Sequence, residues 1–344
     1  LNVLPPDIEP TVTQNIHSII KMISTLLEKK HAYEAENHIL FHVPSFKDYG
    51  NLSKRKKDEM IEGARIEVAP YKKDPMDFVL WKPSTKDQPG WDSPWGRGRP
   101  GWHIECSSII KTYLGETIDI HLGGNDLIFP HHENEIAQSN CAHDGKSLSK
   151  YWIHNGFISM NKEKMSKSVG NIILVNDILK NYTGEAIRLA MLTTHYKQPL
   201  NWNENILIQA NKNLENFYDV IGDKKNFESI EPPKKFFDAL LNDLNTPEAL
   251  KELYELSKNK NTKDQLKSAA NYLGILQLTK TEWINQRKKI KNLDQKKIEK
   301  LIANRNKARK EKNFIEADKI REKLALDNII LEDSPSGTKW RINN

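Results

Sequence analysis

Three residues in the middle of the chain have the types and spacing of a metal site. Cys106 closes the run G-W-H-I-E-C from Gly101, and His131 and Glu135 lie in F-P-H-H-E-N-E from Phe129. His131 and Glu135 are four apart, so on a helix both project from one face. A thiolate, an imidazole and a carboxylate together suit zinc, and a set of three leaves a coordination position open for a substrate. Spacing alone allows a second reading, in which Cys106 is a small buried hydrophobe and H-H-E-N-E is the polar start of a helix. The other chemical signal is K-M-S-K-S at Lys164–Ser168. Lys164 and Lys167, set among small hydroxyl residues and followed by Val169-Gly170-Asn171, suit a mobile cationic loop. Such a loop can close over a triphosphate and neutralise charge as pyrophosphate leaves. A solvated lysine-rich turn is the alternative.

These residues need elements to position them. Thr117–Leu122 alternates as a short strand does, with Gly123-Gly124 breaking it at its carboxyl end. Pro130 then stands at a first helical position, and Gly145 where that helix should stop. The unit reads as strand–loop–helix in a parallel α/β sheet, whose ligands bind in the crevice beyond the strand ends. Upstream, Pro10–Lys30 has the apolar period of an amphipathic helix. His31–Val43 reads as a hairpin turning at Asn37-His38, its histidines taken as polar-face residues rather than ligands. Asn51–Arg65 is charged, helical or loose. Phe78–Trp81 reads as a core strand returning to the main sheet, and Gln88–Pro100 as an ordered loop in which Trp91 and Trp95 pack. Downstream, Leu174–Leu179, Thr183–Thr194, Ile206–Val220 and Pro233–Leu278 carry helical periodicity, with Asn245-Thr246-Pro247 a cap and helix start. Ile284–Asp294 reads as a charged linker and Lys296–Leu326 as a helical pair. Asn328–Leu331 and Lys339–Ile342 suggest two strands about a Ser334–Gly337 turn.

At 344 residues, the chain is long enough for two or three domains. Its 38% hydrophobic and 28% charged residues include no long apolar run, so no membrane span is expected. Two cysteines in such a length argue against a disulfide scaffold and fit a reducing, cytoplasmic setting. From Gln286 to Asn344 there are 17 Lys+Arg against 9 Asp+Glu, a balance of +8 where the whole chain carries +6. A basic terminal segment on a near-neutral body suits a polyanion-binding appendage, or else a solvated helical face.

Longer strings carry a resemblance. P-M-D-F-V-L-W-K at Pro75–Lys82, S-P-W-G-R-G-R-P-G-W-H-I-E-C at Ser93–Cys106, F-P-H-H-E-N-E-I-A-Q-S at Phe129–Ser139, K-M-S-K-S, L-N-T-P-E-A-L at Leu244–Leu250 and L-E-D-S-P-S-G-T-K-W-R at Leu331–Arg341 resemble the cysteinyl-tRNA synthetase family of class I aminoacyl-tRNA synthetases. The resemblance covers essentially the whole chain. It implies an α/β fold: a Rossmann-like parallel-sheet catalytic domain, N-terminally incomplete, followed by an α-helical bundle and a small α+β C-terminal domain. The implied bounds are 1–160 for the catalytic remainder with an insertion at about 10–74, 161–205 for the signature-loop and stem-contact region, 206–283 for a tRNA-binding bundle and 292–344 for an anticodon-binding domain. It also implies one Zn2+ on Cys106, His131 and Glu135, with Trp102 beside the substrate side chain. Gly124 and Asp126 would hold the nucleotide, and Lys164 and Lys167 its phosphates. Arg309, Phe314, Asp318, Arg321 and Asp333 would face the anticodon. The implied partners are ATP with Mg2+, L-cysteine and tRNA(Cys), and the implied state is a monomer. The implied metal answers a selection problem, because a shape pocket gains only about 1–3 kcal/mol from one small substituent, whereas a soft metal favours sulfur over hydroxyl far more.

Two departures stand out. No H-I-G-H-type string occurs, and the family's further cysteine ligand has no counterpart, since Cys141 falls ten residues past His131. The expectation is a chain lacking its first strand–helix units, with almost no ATP–pyrophosphate exchange by itself. Two rival functions remain at this stage. A cysteine ligase of low-molecular-weight thiol synthesis would share the zinc pocket but have no use for the basic C-terminal segment. An inactive RNA-binding relative would have no use for K-M-S-K-S and the zinc ligands.

Overall fold

Ile16, Ile19, Met22, Ile23 and Leu26 recur at helical spacing and fall on the buried side of helix α1 (Ile16–Glu28), where they seed a core. The structure, a computed structural model, describes residues 1–55, 69–160, 163–165, 172–224, 227, 230–311, 313–326, 329–334 and 337–342. It divides into two compact units, Leu4–Ile158 with Tyr196–Leu200, and Leu1–Val3 with Ser159–His195 and Asn201–Asn344.

In the unit of Leu4–Ile158, α1 packs on the two helices that carry Cys106 and Glu135, α2 (Trp102–Leu114) and α3 (Glu133–Ala142). An antiparallel sheet runs in the order β1 (Ala32–Ala35), β2 (His38–Phe41), β3 (Phe78–Pro83), β4 (Gly98–Pro100). The expected hairpin is present, but its turn is Glu36-Asn37 rather than Asn37-His38. Both turn residues have positive φ (46° and 59°), as the two-residue turn that matches strand twist requires. β3 corrects a second expectation. Among the described residues it does not join the parallel sheet but pairs antiparallel with β2 and β4, Phe41 opposite Phe78 and Trp81 opposite Pro100. β4 comes from the end of the stretch expected to be all loop, and Trp91 and Trp95 pack on the core as expected. Gly101 is required where β4 gives way to α2, since a Cβ there would run into the Val79 carbonyl.

The parallel pair is β5 (Ile118–Gly124) and β6 (Ser149–Asn155), in register from Ile118 opposite Ser149 to Gly124 opposite Asn155. β5 therefore includes Gly123 and Gly124 instead of stopping before them. Phe129 is extended (φ −138°, ψ 131°), and helical backbone resumes at Pro130. At the far end of α3, Gly145 has φ 82° and donates its N–H to the Asn140 carbonyl at 2.8 Å, closing the helix. Most of Asn51–Arg65 lies outside the described residues.

In the other unit, β7 (Ile158–Met160) pairs antiparallel with β8 (Glu163–Lys164), Ser159 opposite Lys164. A short helix α4 (Val175–Ile178) precedes α5 (Gly184–Leu192), capped by Thr183, whose hydroxyl accepts from Ala186 N. After β9 (Leu200–Trp202) come α6 (Glu204–Ile221), α7 (Lys234–Leu241), α8 (Thr246–Ser257) and α9 (Lys263–Tyr272), with Leu214, Phe217, Phe236, Leu253 and Leu266 fully buried. Asn245 caps α8 as the sequence predicts, accepting from Glu248 N. The charged linker expected over Ile284–Asp294 is instead the interior of a 31-residue helix, α10 (Lys280–Lys310). A full capping box at Thr279 and Glu282 starts it, and no Gly or Pro interrupts it for eight turns. Trp283, fully buried, stacks on Tyr218 of α6 with ring centroids 4.7 Å apart. Helix α11 (Phe314–Leu326) and the hairpin β10 (Ile329–Ser334) and β11 (Gly337–Ile342) complete the chain. Ile298, Ile302, Ile320, Leu324 and Leu331 form their core.

Cys141 sits in the core cluster under α1, and burial pushes its thiol up to about 12. Only the thiolate is nucleophilic. Iodoacetamide at pH 8 is therefore expected to alkylate Cys141 on the order of a thousandfold more slowly in the folded chain than in urea, as read by peptide mass spectrometry. Equal rates would show that the site is not buried.

Candidate metal and nucleotide site

Cys106 comes from the second turn of α2, His131 from the turn before α3, and Glu135 from the first turn of α3. Their ligand atoms (Sγ, a ring nitrogen and a carboxylate oxygen) all lie within 4.8 Å of one another. Glu135 is 1% exposed. Its Oε1 is 2.7 Å from His131 Nε2, and its Oε2 is 3.2 Å from His121 Nε2 of β5 without the alignment of a hydrogen bond. A buried carboxylate oxygen with no hydrogen bond is costly. Burial first, then the Glu135 charge, pushes the Cys106 thiol up to about 12. A dication would remove both penalties, because it takes the thiolate and supplies the carboxylate's missing partner. The donor set, soft sulfur with one imidazole and one carboxylate, fits zinc. Glu135 also belongs to a second possible set with His121 and His132. Cys141, in the hydrophobic core, belongs to neither.

The structure adds a shell of histidines that sequence reasoning missed. His103 Nδ1 lies 2.8 Å from His131 Nδ1, and His132 Nδ1 lies 2.8 Å from His154 Nε2. Burial holds His103 and His132 down to about 3, helped by His131 for the first and by His121 for the second, so both rings are neutral at pH 7. Trp152 of β6 stacks on His121 with centroids 4.5 Å apart. The available signal was that each histidine stands at a strand end or helix start already under suspicion, in W-H-I, I-H-L, P-H-H and W-I-H. Trp102, the first residue of α2, is 60% exposed with its ring 4.4 Å from that of His131, so it forms an accessible wall over the ligand set. A pocket of about 350 Å³ opens beside Trp102 and His103, walled by Tyr49, Phe78, Phe129 and Asn134.

The start of α3 is held from outside. The buried Glu133 carboxylate accepts from Gly50 N at 2.8 Å and Ser53 N at 2.9 Å, and the Tyr49 hydroxyl donates to Asn134 Oδ1. At the end of β5, a Cβ on Gly123 would strike the His132 ring, so only glycine lets that ring close on the strand. Gly124 and Asp126 stand in the turn beyond the strand end. Gly124 accepts from Leu127 N, and a Cβ on it would meet Asp126 Oδ1 at 2.5 Å. Lys164 is placed by its backbone at the end of β8, and Lys167 lies outside the described residues.

The five candidate anticodon residues belong to α10, α11 and the final hairpin. Phe314 is 60% exposed at the start of α11, and Asp318 and Arg321 are exposed on the same helix. Arg309 and Asp333 are joined, Nη1 to Oδ2 at 2.8 Å. Asp333 is also gripped by Arg305, which holds its carboxyl well below the usual carboxylate range and which the sequence reading did not single out.

Comparison with known proteins adds the following. The family described as tRNA synthetases class I (C) catalytic domain matches residues 1–212, and the DALR domain matches residues 235–278. A protein of Parvibaculum lavamentivorans named cysteine–tRNA ligase is 53% identical, over 99% of this chain and 76% of its own length. Proteins with the same name are 51% identical in Paramagnetospirillum magneticum (99% of this chain, 77% of the relative) and 47% in Maricaulis maris (99% and 76%). Among the described residues, no helix is long and apolar enough to cross a membrane.

Gly123→Ala tests the packing at the strand end. It is expected to displace the His132 ring and lower stability by about 1–3 kcal/mol, read by urea unfolding. A chain as stable as the parent would mean the ring is not confined there.

Proposed function

The chain belongs to the cysteine–tRNA ligases, class I aminoacyl-tRNA synthetases, and on that basis we propose a division of labour among its residues. The reaction has two steps. The cysteine carboxylate attacks the α-phosphate of ATP to give cysteinyl-adenylate and pyrophosphate, and the ribose hydroxyl at the 3′ end of tRNA(Cys) then takes the cysteinyl group. Neither step needs a nucleophile from the protein, so the chain's task is alignment and charge stabilisation.

Cys106, His131 and Glu135 would hold Zn2+, which when bound offers a soft Lewis acid that prefers the sulfur of cysteine to the hydroxyl of serine. The observation that carries this assignment is the convergence of those three side chains about a buried carboxylate oxygen that no hydrogen bond satisfies. Trp102 would cover the substrate side chain from the open side. Gly124 leaves room for the nucleotide beyond the β5 end, and Asp126 would accept from a ribose hydroxyl. Lys164 and Lys167 would close on the phosphates of ATP, which enters with Mg2+, and offset the charge that builds as pyrophosphate departs. Region 161–205 would couple that loop to the bundle 206–283 on the tRNA stem. The segment 292–344 would form the anticodon site, with Arg309, Phe314, Asp318, Arg321 and Asp333 part of it and Phe314 available for stacking on a base. Free, largely buried cysteines suit the reducing cytoplasm, where the chain would work as a monomer.

The purified chain is expected to hold one zinc by elemental analysis. Cys106→Ser and Glu135→Gln should each weaken zinc binding by roughly tenfold or more. Cysteine, but not serine, should raise the melting temperature of the zinc-loaded parent. A Cys106→Ser chain that keeps its zinc and still separates cysteine from serine would overturn the assignment.

A further inference from the structure

A carboxylate offers about four lone-pair positions to hydrogen-bond donors. In Asp333 all four are filled by the protein. Arg305 donates Nη1–H to Oδ1 at 3.0 Å and Nη2–H to Oδ2 at 2.8 Å. Arg309 donates Nη1–H to Oδ2 at 2.8 Å, and the Thr338 hydroxyl reaches Oδ1 at 2.8 Å. The same hydroxyl lies 3.1 Å from Asn306 Oδ1, but its single proton favours the nearer, charged oxygen. Asp333 therefore has no acceptor position left for a base.

The two arginines differ in surroundings. The Arg305 side chain is 4% exposed, so its fork serves the interior, while that of Arg309 is 46% exposed. A guanidinium carries five N–H donors in one plane. Among the described residues, Arg309 spends one of them, on Asp333. The others remain for a ligand, and the bond to Asp333 limits how the plane can turn. Pairs of N–H donors in a fixed plane match two adjacent acceptors on a base edge.

We propose that Asp333 is a positioning residue rather than a base reader. Arg305 and Thr338 lock the carboxylate, the carboxylate aims Arg309, and Arg309 presents its free N–H pair to an acceptor edge of an anticodon base. The proposal rests on the reading of 292–344 as the anticodon-binding segment, and deepens it. Arg305 thereby becomes a specificity determinant that is shielded from the RNA. Lysine at position 305 would keep the charge but give up the bidentate fork, leaving Asp333 and Arg309 free to turn.

The test is binding of the full chain to tRNA(Cys) transcripts, native and with each anticodon base replaced in turn. The unmodified chain should discriminate between them. Arg305→Lys, Asp333→Asn and Arg309→Lys should each lower the discrimination at one shared anticodon position by about tenfold. The double variant Arg305→Lys/Asp333→Asn should be no worse than either single one, since both act through Arg309. Thr338→Val, which frees one lone pair while leaving the arginines in place, should cause a smaller loss at the same position. That variant covers the case in which Arg305→Lys unfolds the segment, which circular dichroism would reveal. Full discrimination in a folded Arg305→Lys chain, with loss in Asp333→Asn, would make Asp333 the reader and overturn the proposal. A uniform loss across all transcripts would assign Arg309 to a phosphate and also overturn it. No discrimination by the unmodified chain would defeat the anticodon reading itself.

Discussion

A buried carboxylate governs the catalytic half of this protein. Glu135 brings its charge into a nearly water-free position, and an ionised carboxyl group there is tolerated only with compensating partners. His131 and His121 approach its two oxygens from different elements, and Cys106 completes the enclosure from a third. The requirement ties α2, α3 and β5 together around one point. The position of β5 depends on a glycine that lets His132 lie against the strand, and the start of α3 depends on Glu133 accepting two backbone N–H groups from residues 50 and 53. Residues 50 and 53 thus brace the helix that carries Glu135.

The neutral histidines complete that logic. His103 and His132 are held uncharged by burial and by neighbouring rings, so they can pass hydrogen bonds through the cluster without adding positive charge that would compete with a cation. A ligating imidazole normally bonds through its other nitrogen to a partner that fixes its tautomer. His131 has such a partner in His103, and Trp102 lies over the same ring on the open side. Selectivity for a thiol over a hydroxyl would thus rest on a preorganised donor set rather than on the size of a pocket, which discriminates poorly between such similar groups.

The basic C-terminal end uses opposite means. Among the described residues, Ile298, Ile302, Ile320, Leu324 and Leu331 cluster between α10, α11 and the hairpin, and a charged pair joins α10 to the hairpin. Arg305, buried, meets Asp333 of the hairpin, while Lys300, Lys307, Lys310, Lys319 and Lys323 are exposed. Under the proposed reading this would separate affinity, which diffuse positive charge would supply, from alignment, which one shielded ion pair would supply.

Much was legible from the residues alone. The family strings, the amphipathic α1, the Asn245 cap and the four-residue spacing of His131 and Glu135 are local patterns, and local patterns survive in a linear reading. Pairing partners do not. β3 has the look of any buried strand, and only the path of the chain decides that it joins an antiparallel sheet. The turn moved by one residue to Glu36-Asn37 because strand register fixed which two residues took positive φ. The charged stretch after Ile284 looked like a linker because it lacks an apolar stripe, yet a strong amino-terminal cap and the absence of any helix breaker carry α10 through it. The histidine shell and the Arg305–Asp333 pair stayed hidden for a related reason. Their paired members are 22 or 28 positions apart, and a hydrogen bond across such a separation leaves no period in the sequence. Residue types set what chemistry was possible here. Folding alone decided which side chains share a buried space, because burial and proximity belong to the packed chain and not to the string.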